Sequence, residues 1–398
     1  MKKKFYEKVV KALAIVLVFC VLTVFPIKAE SAEQRGTHPK GEIATATFDI
    51  DCQSVILVEA NTNTVLYEKN ADEPLPPASV TKVMTLLLVM EAIESGKIGY
   101  SDIVRVSKNA SSMGGSQIYL KENEEMSVED LLKSVIIASA NDAAVALAEH
   151  ICGSEEAFVE RMNQRAVELE MMNTNFENTN GLDDTVENHV ISARDIAIMS
   201  RELIKYPKIT EYSSIWMDSI RGGSFGLTNT NRLIRFYKGA TGLKTGSTDK
   251  AGFCISATAE RDGMSLICVV MGAKTKDERN AIATKLLDYG FNNFRMFSDD
   301  GKIINDIPIL RGNKETFSAE YPPIKMVVPK ETGKISAGVS ITDGIEAPIN
   351  KGDIVGVVSY SNGKEEICQV DIIASETIKK CGFFDLFGEF LRKCAEIL

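Results

Sequence analysis

Ser79 and Lys82, in the stretch PPASVTKVM (residues 76–84), are the first pair of side chains whose spacing suits chemistry. Proline and serine are typical of a helix start, but a capping box would place Glu or Gln three residues after the serine. A lysine at that position is opposed by the helix dipole and flanked by apolar residues, and both effects favour its uncharged form. Because a neutral amine one turn from a hydroxyl can act as a general base beside a nucleophile, the pair predicts covalent catalysis.

The Ser-x-x-Lys spacing is weak evidence when it stands alone. Average usage of serine and lysine gives about two such matches in a chain of this length. The matches found are Ser79/Lys82, Ser247/Lys250 and Ser361/Lys364. Only the first begins a long apolar helix, since the second starts in a loop after glycine and the third on an Asn-Gly turn. A capping serine with an incidental lysine is the alternative interpretation of the first pair.

Ser139 and Asn141 interrupt the apolar stretch VIIASANDAAVALAEH (residues 135–150). Polar side chains buried in such a stretch need hydrogen-bonding partners. We therefore expect a cavity lined by Ser139 and Asn141, with a surface turn between two helices as the alternative.

Lys244, Thr245 and Gly246 form a Lys-Thr-Gly triplet that occurs once in the chain, where average usage gives about 0.1 matches. The triplet heads a predicted edge strand in GATGLKTGSTDKAGFCISATAE. Such a strand would aim Lys244 and Thr245 at a substrate carboxylate, and Gly246 would allow close approach of a substrate backbone. An ordinary exposed turn before a strand is the alternative.

The elements that must position these side chains follow from alternating and helical patterns of apolar residues. We predict a hairpin over 48–70, helices over 79–94, 127–150, 154–171 and 192–205, strands over 251–260 and 264–273, and a helix over 276–290. Strands at both ends with helices between them predict an α+β fold, an antiparallel sheet covered by helices.

Four segments make up the predicted domain organisation. Residues 1–29 combine a basic start, a 14-residue apolar run and a small residue at Ala29, which predicts a cleaved signal peptide. An uncleaved membrane anchor is the alternative, although about 20 apolar residues are normally needed to span a bilayer. A catalytic domain over 42–296 and a small β-rich domain over 297–375 follow, the latter read from short strands and turns.

Residues 376–398 form a tail with the composition of an amphipathic, membrane-associating helix. Its basic residues could face anionic headgroups, while a terminal helix packed on its own domain is the alternative. The apolar residues of the tail are Ile378, Phe383, Phe384, Leu386, Phe387, Phe390, Leu391 and Leu398, and the basic ones are Lys379, Lys380, Arg392 and Lys393.

Charge and composition exclude several classes of function. Removal of residues 1–29 takes away six lysines and one glutamate and leaves 39 basic and 54 acidic residues, a net charge of −15. Nucleic-acid binding depends on cationic contacts to phosphate, so no nucleic-acid partner is expected. The three histidines are dispersed and the cysteines form no Cys-x-x-Cys pair. We therefore expect neither a metal nor another cofactor.

In the order Ser-x-x-Lys, Ser-x-Asn, Lys-Thr-Gly, the three motifs resemble the signature of penicillin-binding proteins and serine β-lactamases. Longer stretches, among them SANDAAVALAE and GLDDTVENHVISARDIAIMS, are similar to the D-alanyl-D-alanine carboxypeptidases, the low-molecular-weight penicillin-binding proteins. The resemblance covers about residues 45–292 closely and the rest of the chain more loosely. It implies a penicillin-binding, β-lactamase-like transpeptidase fold for the first domain.

The resemblance also implies a reaction and its catalytic residues. Ser79 matches the acylated nucleophile and Lys82 its proton acceptor. Ser139 matches the residue that passes the proton to the leaving group, and Asn141 the residue that positions the substrate amide. The implied substrate is a peptidoglycan stem pentapeptide that loses its last D-alanine, and β-lactam antibiotics would acylate Ser79. The implied location is the outer face of the cytoplasmic membrane, in the cell wall space.

The remaining site residues implied by the resemblance bind substrate. The triplet 244–246 matches the motif that binds the terminal carboxylate. Backbone N–H groups of Ser79 and Ser247 would form an oxyanion hole. Arg232 and Arg279 lie in segments where the family carries carboxylate-binding arginines, with looser spacing.

Other functions stay open at this point. A β-lactamase of the same superfamily is one, but class A members use a glutamate to activate water, and residues 150–240 contain no Glu-x-x-Leu-Asn stretch. DD-endopeptidase or transpeptidase action on cross-links would use the same residues. A catalytically silent wall-binding protein is the alternative from another class, and the intact Ser79, Lys82 and Lys244 argue against it.

Overall fold

The computed structural model describes residues 50–184, 186–382 and Gly388. The predicted signal peptide, residues 1–29, lies outside these residues, as does most of the predicted tail, residues 376–398. Within the described part of the chain, none of the helices has the length and apolar character needed to cross a bilayer.

The helices and strands have the following bounds. The helices are α1 (Lys82–Glu94), α2 (Lys108–Ser111), α3 (Val128–Ile137), α4 (Asn141–Cys152), α5 (Glu155–Glu168), α6 (Ala193–Leu203), α7 (Pro207–Ser213), α8 (Leu233–Phe236) and α9 (Lys276–Asn293). The strands are β1 (Ser54–Glu59), β2 (Thr64–Lys69), β3 (Ile103–Arg105), β4 (Glu125–Ser127), β5 (Thr174–Asn175), β6 (Val190–Ile191), β7 (Met217–Ile220), β8 (Phe225–Thr228), β9 (Ala240–Thr248), β10 (Gly252–Arg261), β11 (Met264–Ala273), β12 (Phe294–Asp299), β13 (Lys302–Pro308), β14 (Thr316–Tyr321), β15 (Ile324–Pro329), β16 (Ser336–Ile341), β17 (Ile354–Ser361) and β18 (Glu366–Ala374).

The central sheet has the antiparallel order β2-β1-β11-β10-β9, so β9 lies at an edge. The inner strands β1, β11 and β10 are largely buried on both faces, since α9 packs against β10 and β11 and α6 packs against β1 and β11. Alternate residues of β1 show this division: Ile56 and Val58 join one core, and Val55 and Leu57 join the other. The predicted α+β sheet covered by helices is confirmed.

Helix α1 carries the apolar run VMTLLLVM through the first of these cores. Leu86, Leu87 and Leu88 are all buried, so no face of this part of the helix is turned to water. A helix that is apolar all round is stable only inside a core. Each of these side chains contributes about 1.5–3 kcal/mol through burial. The rigid placement of the N-terminus of α1 follows from this packing.

The stretch predicted as one helix over 127–150 is two helices, α3 and α4. Between them Ser139 has a φ of 63°, in the left-handed region that residues other than glycine seldom adopt. Asn141 begins α4, and its backbone N–H donates to the carbonyl of Ser116. The polar interruption in the apolar pattern therefore marks a helix break that faces a neighbouring loop.

Residues 54–293, here called the cleft region, are followed by a β region over residues 294–380. In the β region β12 pairs with β15, and a second antiparallel sheet has the order β13-β14-β18-β17-β16. Ile378, which we expected on the apolar surface of the tail, is instead buried in the core of this region and exchanges backbone hydrogen bonds with Ile349.

Candidate active site

Ser79 lies in a 3₁₀ turn, Ala78–Thr81, that leads directly into α1 at Lys82. The distance from Lys82 Nζ to Ser79 Oγ is 2.9 Å, so the two side chains share a hydrogen bond as their spacing predicted. The Ser79 side chain makes no helix-capping hydrogen bond, which contradicts the interpretation of this serine as an N-cap. The preceding residue, Ala78, has a φ of 48°. The hydroxyl is thus presented from a tight, strained turn.

Lys82 is completely buried, and its amine also donates to the backbone carbonyl of Asn180 at 2.7 Å. Burial lowers the pKa of Lys82 well below its ordinary value, and the charge of Lys244 lowers it further, whereas Asp142 opposes the shift. The uncharged amine has one lone pair, which can accept the hydroxyl proton of Ser79. One of its N–H groups meanwhile donates to the carbonyl of Asn180. The environment of Lys82 therefore suits a general base.

Ser139 and Lys244 form a second buried pair next to the first. Lys244 Nζ donates to Ser139 Oγ at 2.7 Å and to the carbonyl of Thr245 at 2.8 Å. Burial lowers the pKa of Lys244 to about 7, and the charge of Arg279 adds to this shift. Near neutral pH this amine exchanges between its charged and neutral forms. It can bind an anion when it is charged.

Asn141, two residues after Ser139, has an unpaired acceptor. Its Nδ2 donates to the carbonyl of Gly114 at 2.7 Å, but its buried Oδ1 has no hydrogen-bonding partner. A buried acceptor without a partner costs free energy unless a ligand supplies a donor. The next residue, Asp142, accepts from the N–H groups of Ile118 and Leu120 and so fixes the loop beside Asn141.

The edge strand β9 brings the third motif against the nucleophile. A Cβ atom built on Gly246 would lie 2.8 Å from Ser79 N and 2.9 Å from the carbonyl oxygen of Pro77, so only glycine allows this approach. The triplet lies inside β9 rather than at the head of a strand, which corrects the predicted position. Gly181, on the other side of the turn, is equally confined, since a Cβ there would lie 1.9 Å from the Ala78 carbonyl oxygen.

Thr245 and Ser247 follow Lys244 along β9, and Thr245 is buried whereas Ser247 is exposed. Thr245 Oγ1 lies 2.8 Å from Thr230 Oγ1, and this pair of hydroxyls stands beside the buried Lys244. Ser247 is exposed near the end of β9. Hydroxyl and ammonium groups together provide donors for a carboxylate.

The two arginines of the predicted site have different environments. Arg279 is buried and donates to the carbonyl of Cys254 at 3.3 Å, and burial lowers its pKa to about 10. Its charge acts on Lys244, which stands opposite Ser256 across the β9–β10 ladder. Arg232 is exposed and forms an ion pair with Asp277 at 3.4 Å. Direct contact of either arginine with a substrate stays a prediction.

Sequence reasoning did not find Asn180, Thr230 or Asp142 as parts of the site. Asn180 acts through its backbone carbonyl, which no side-chain pattern reveals. Thr230 precedes β9 by ten residues and gave no motif, and Asp142 was visible only as a further polar residue in the second motif. Among the residues that the structure describes, no group of His, Cys, Asp and Glu could hold a metal ion.

Comparisons with known proteins agree on one family. Residues 40–275 match the family model described as D-alanyl-D-alanine carboxypeptidase. Residues 291–380 match the model described as penicillin-binding protein 5, C-terminal domain.

Similar proteins have been characterised in several bacteria. The D-alanyl-D-alanine carboxypeptidase DacF of Bacillus subtilis is 42% identical over 347 residues, which cover 85% of this chain and 89% of DacF. DacC of Escherichia coli, with the same enzyme name, is 32% identical over 97% of this chain and 96% of its own length. The crystal structure of penicillin binding protein 5 from Haemophilus influenzae superposes with a TM-score of 0.75 at 32% identity, covering 84% of this chain and 99% of that one.

Proposed function

We propose, since the chain belongs to the D-alanyl-D-alanine carboxypeptidase family, that it removes the terminal D-alanine from peptidoglycan stem pentapeptides through an acyl-enzyme on Ser79. The observation that carries the proposal is the 2.9 Å contact between Ser79 Oγ and the fully buried amine of Lys82. A buried neutral amine beside a hydroxyl supplies both the nucleophile and its base.

Acylation begins with proton transfer from Ser79 to Lys82. Ser79 Oγ then forms a bond to the carbonyl carbon of the penultimate D-alanine, and the carbonyl oxygen becomes an oxyanion. Backbone N–H groups of Ser79 and Ser247 are the proposed donors to this oxyanion. The closeness of Gly246 to Ser79 N supports their convergence on one point.

Binding of the substrate uses the polar groups that border the nucleophile. The ammonium form of Lys244 and the hydroxyl of Thr245 hold the terminal carboxylate, while Thr230 orients Thr245 through the 2.8 Å hydroxyl contact. The unpaired Oδ1 of Asn141 accepts an N–H of the substrate backbone. Arg279 adds positive potential behind Lys244, and we propose the same electrostatic role, from the surface, for Arg232.

The leaving D-alanine takes a proton as its C–N bond breaks. Ser139, hydrogen-bonded to Lys244 at 2.7 Å, provides a hydroxyl through which the proton that Lys82 took from Ser79 can pass to the departing amine, and this leaves Lys82 neutral. Water then attacks the ester on Ser79 and gives a proton to Lys82. Lys82 returns that proton to Ser79 Oγ as the ester bond breaks, which releases the shortened peptide and restores the free hydroxyl. A β-lactam follows the same first step, because its reactive amide replaces the scissile bond.

A fluorescent penicillin tests the proposal directly. We expect covalent label on the wild-type protein and none on Ser79→Ala, together with release of D-alanine from a soluble pentapeptide by the wild type only. Ser361→Ala, in the β region, is the matched control and keeps full labelling. Absence of label on the folded wild type would contradict the proposal. Equal cleavage of a cross-linked dimer would instead indicate an endopeptidase.

We also propose that the protein acts outside the cytoplasm and that its tail attaches it to the outer face of the cytoplasmic membrane. The sequences of residues 1–29 and 376–398 support this location. Co-sedimentation of the mature chain with anionic phospholipid vesicles, compared with a chain that ends at residue 382, tests the role of the tail. Equal sedimentation of the two chains would contradict it.

A further inference from the structure

His189 lies behind the nucleophile rather than in the cleft, and no step of the proposed reaction uses it. Its ring is 5% exposed and packs edge-on against Phe176 at a centroid distance of 5.9 Å. Its Nε2 lies 2.7 Å from the hydroxyl of Thr81, the last residue of the 3₁₀ turn that carries Ser79. A buried histidine is thus connected to the nucleophile turn by one hydrogen bond.

The hydrogen-bond network defines the state of this ring. The backbone N–H of Glu177 donates to His189 Nδ1 at 3.0 Å, so Nδ1 is an acceptor. The hydroxyl of Thr81 donates to the carbonyl of Ala78 at 2.9 Å, so its oxygen is left to accept from the ring. Every group is satisfied only if His189 is neutral with its proton on Nε2.

Burial agrees with this assignment. It lowers the pKa of His189 to about 4, with a further lowering by the charge of Lys82 and an opposite effect of Asp183. The imidazole is therefore neutral near neutral pH. Its hydrogen bonds are fixed under working conditions.

The strained residue of the turn is the one that receives this support. Ala78 has a φ of 48°, a conformation that costs about 1–3 kcal/mol for a residue other than glycine. Its carbonyl accepts the Thr81 hydroxyl, and a Cβ on Gly181 would collide with that same carbonyl. The conformation persists because Thr81, held by His189, and the backbone of Gly181 enclose the Ala78 peptide.

One loop therefore holds both members of the catalytic pair. Residues 177–189 reach the Ser79 turn through His189, and they reach the Lys82 amine through the carbonyl of Asn180 at 2.7 Å. The hydroxyl of Thr85, one turn further along α1, donates to the carbonyl of Thr179 at 2.6 Å. The distance between nucleophile and base is thus set by contacts with a single segment.

We infer that His189 is a positioning residue that fixes the Ser79 hydroxyl against Lys82 by donating a hydrogen bond to Thr81. This inference rests on the proposed function, because it concerns the nucleophile of that reaction. It predicts that loss of the Nε2–H donor slows acylation without unfolding the protein. A displacement of the nucleophile by about 1 Å is enough to slow such a step about 100-fold.

The test compares second-order rates of acylation by a fluorescent penicillin. His189→Leu keeps an apolar side chain in the site but removes the donor, and we expect a rate about 10- to 100-fold below wild type. His189→Gln can place an amide N–H near the position of Nε2, and we expect it to recover most of the rate. His150→Leu, on the exposed end of α4, is the matched control and keeps the wild-type rate.

Thr81 provides an independent pair of variants. Thr81→Val removes the hydroxyl and should slow acylation as much as His189→Leu, whereas Thr81→Ser should recover most of the rate. The double variant Thr81→Val with His189→Leu should acylate no more slowly than the slower single variant. Both substitutions remove the same hydrogen bond between His189 and Thr81. If His189→Leu does not fold, the variants Thr81→Val and Thr81→Ser still test the positioning role.

Two results separate this inference from the proposed function. If wild type takes up label and His189→Leu and Thr81→Val acylate at the wild-type rate while folded, the positioning role is wrong and the enzyme assignment stands. If folded wild type takes up no label, the proposed function is wrong, and the positioning role is then wrong as well. Equal losses in the glutamine and leucine variants would indicate a packing role and would also overturn the inference.

Discussion

The cleft region and the β region bury different kinds of side chain. Among the residues that the structure describes, every buried residue with a charged, amide, imidazole or aliphatic hydroxyl side chain lies before residue 280. Lys82, Lys244, Arg279 and His189 are all in this group. The core of the β region is mostly apolar, with Phe317, Val358 and Ile372 among its residues, and it also contains the buried hydroxyl of Tyr360. Both regions contain an antiparallel sheet with a well-buried core. The difference in buried polar side chains therefore does not follow from one region lacking a core.

Buried amines and amides reduce stability unless they are hydrogen-bonded. The cleft region therefore carries a larger cost of this kind than the β region, and its contributors include the buried amine of Lys82 and the unpaired Oδ1 of Asn141. The strained backbone of Ala78 and Ser139 lies at the same place. Stability and chemistry make opposite demands on these residues, and only the cleft region shows the conflict.

The two regions also differ in what lies against their edge strands. In β9 a Cβ on Gly246 would meet the backbone of the Ser79 turn at 2.8 Å. In β16, an edge strand of the second sheet, a Cβ on Gly338 would have only the carbonyl oxygen of Ser359 within 4 Å, at 3.8 Å. The Ser79 turn lies against the edge of β9, whereas the edge of β16 has free space beside Gly338.

Among the tests that separate the two regions, replacement of Lys82, the proposed base, should cause the largest change in the rate of acylation. Lys82→Met keeps the length of the side chain but removes the amine. We expect the rate of acylation by penicillin to fall by about 10²- to 10⁴-fold, the usual contribution of a general base. Lys325→Met, exposed on β15, is the control and should not change the rate. A Lys82→Met protein that is labelled at the wild-type rate would rule out the assigned base.

The edge strands offer a second, smaller test. Gly246→Ala forces β9 away from the Ser79 turn, so we expect acylation to slow about 100-fold. Gly338→Ala adds the same methyl group to an uncrowded edge. It should change the free energy of unfolding by less than about 0.5 kcal/mol and leave labelling intact. Equal effects of the two substitutions would mean that close approach at β9 is unimportant.

The pH dependence of peptide cleavage should report the buried amines. Lys244 must be protonated to bind a carboxylate, and its pKa is lowered to about 7 by burial and by Arg279. We therefore expect kcat/KM to fall above pH 7, by up to about tenfold per pH unit. Arg279→Gln removes the repelling charge, raises the pKa of Lys244 and should move this alkaline limb to higher pH. An unchanged limb in that variant would contradict the electrostatic role of Arg279.

Truncation of a side chain in the core of the β region should have the smallest effect on the rate of acylation. Phe317→Ala opens a cavity in the β region, and we expect it to lower the free energy of unfolding by about 3–5 kcal/mol. Acylation by penicillin at 25 °C should stay close to the wild-type rate, because no residue of the Ser79 site belongs to that core. Calorimetry and labelling on the same sample measure both quantities. A parallel loss of labelling would show that the cleft depends on the β region.

Local patterns were sufficient for most of the fold. The hairpin of β1 and β2, the strands β10 and β11, and the helices α5, α6 and α9 were predicted from alternation and helical periodicity. The prediction failed at the break between α3 and α4, where Ser139 is left-handed and the next helix begins with an N–H of Asn141 that donates to the carbonyl of Ser116, a contact between residues distant in sequence. It also failed for Ile378, whose burial depends on pairing with Ile349.

The sequence by itself determined which side chains we propose for the chemistry, because Ser79, Lys82, Ser139, Asn141 and Lys244 lie in three motifs with recognisable spacing. Only the tertiary structure decided how these groups behave. Burial lowers the pKa of both Lys82 and Lys244, with a further lowering by the charge of Lys244 on Lys82 and of Arg279 on Lys244. The carbonyl that accepts from Lys82 comes from Asn180, 98 positions away. Electrostatic and backbone contacts of this kind act through space, so they become visible only when the chain is folded.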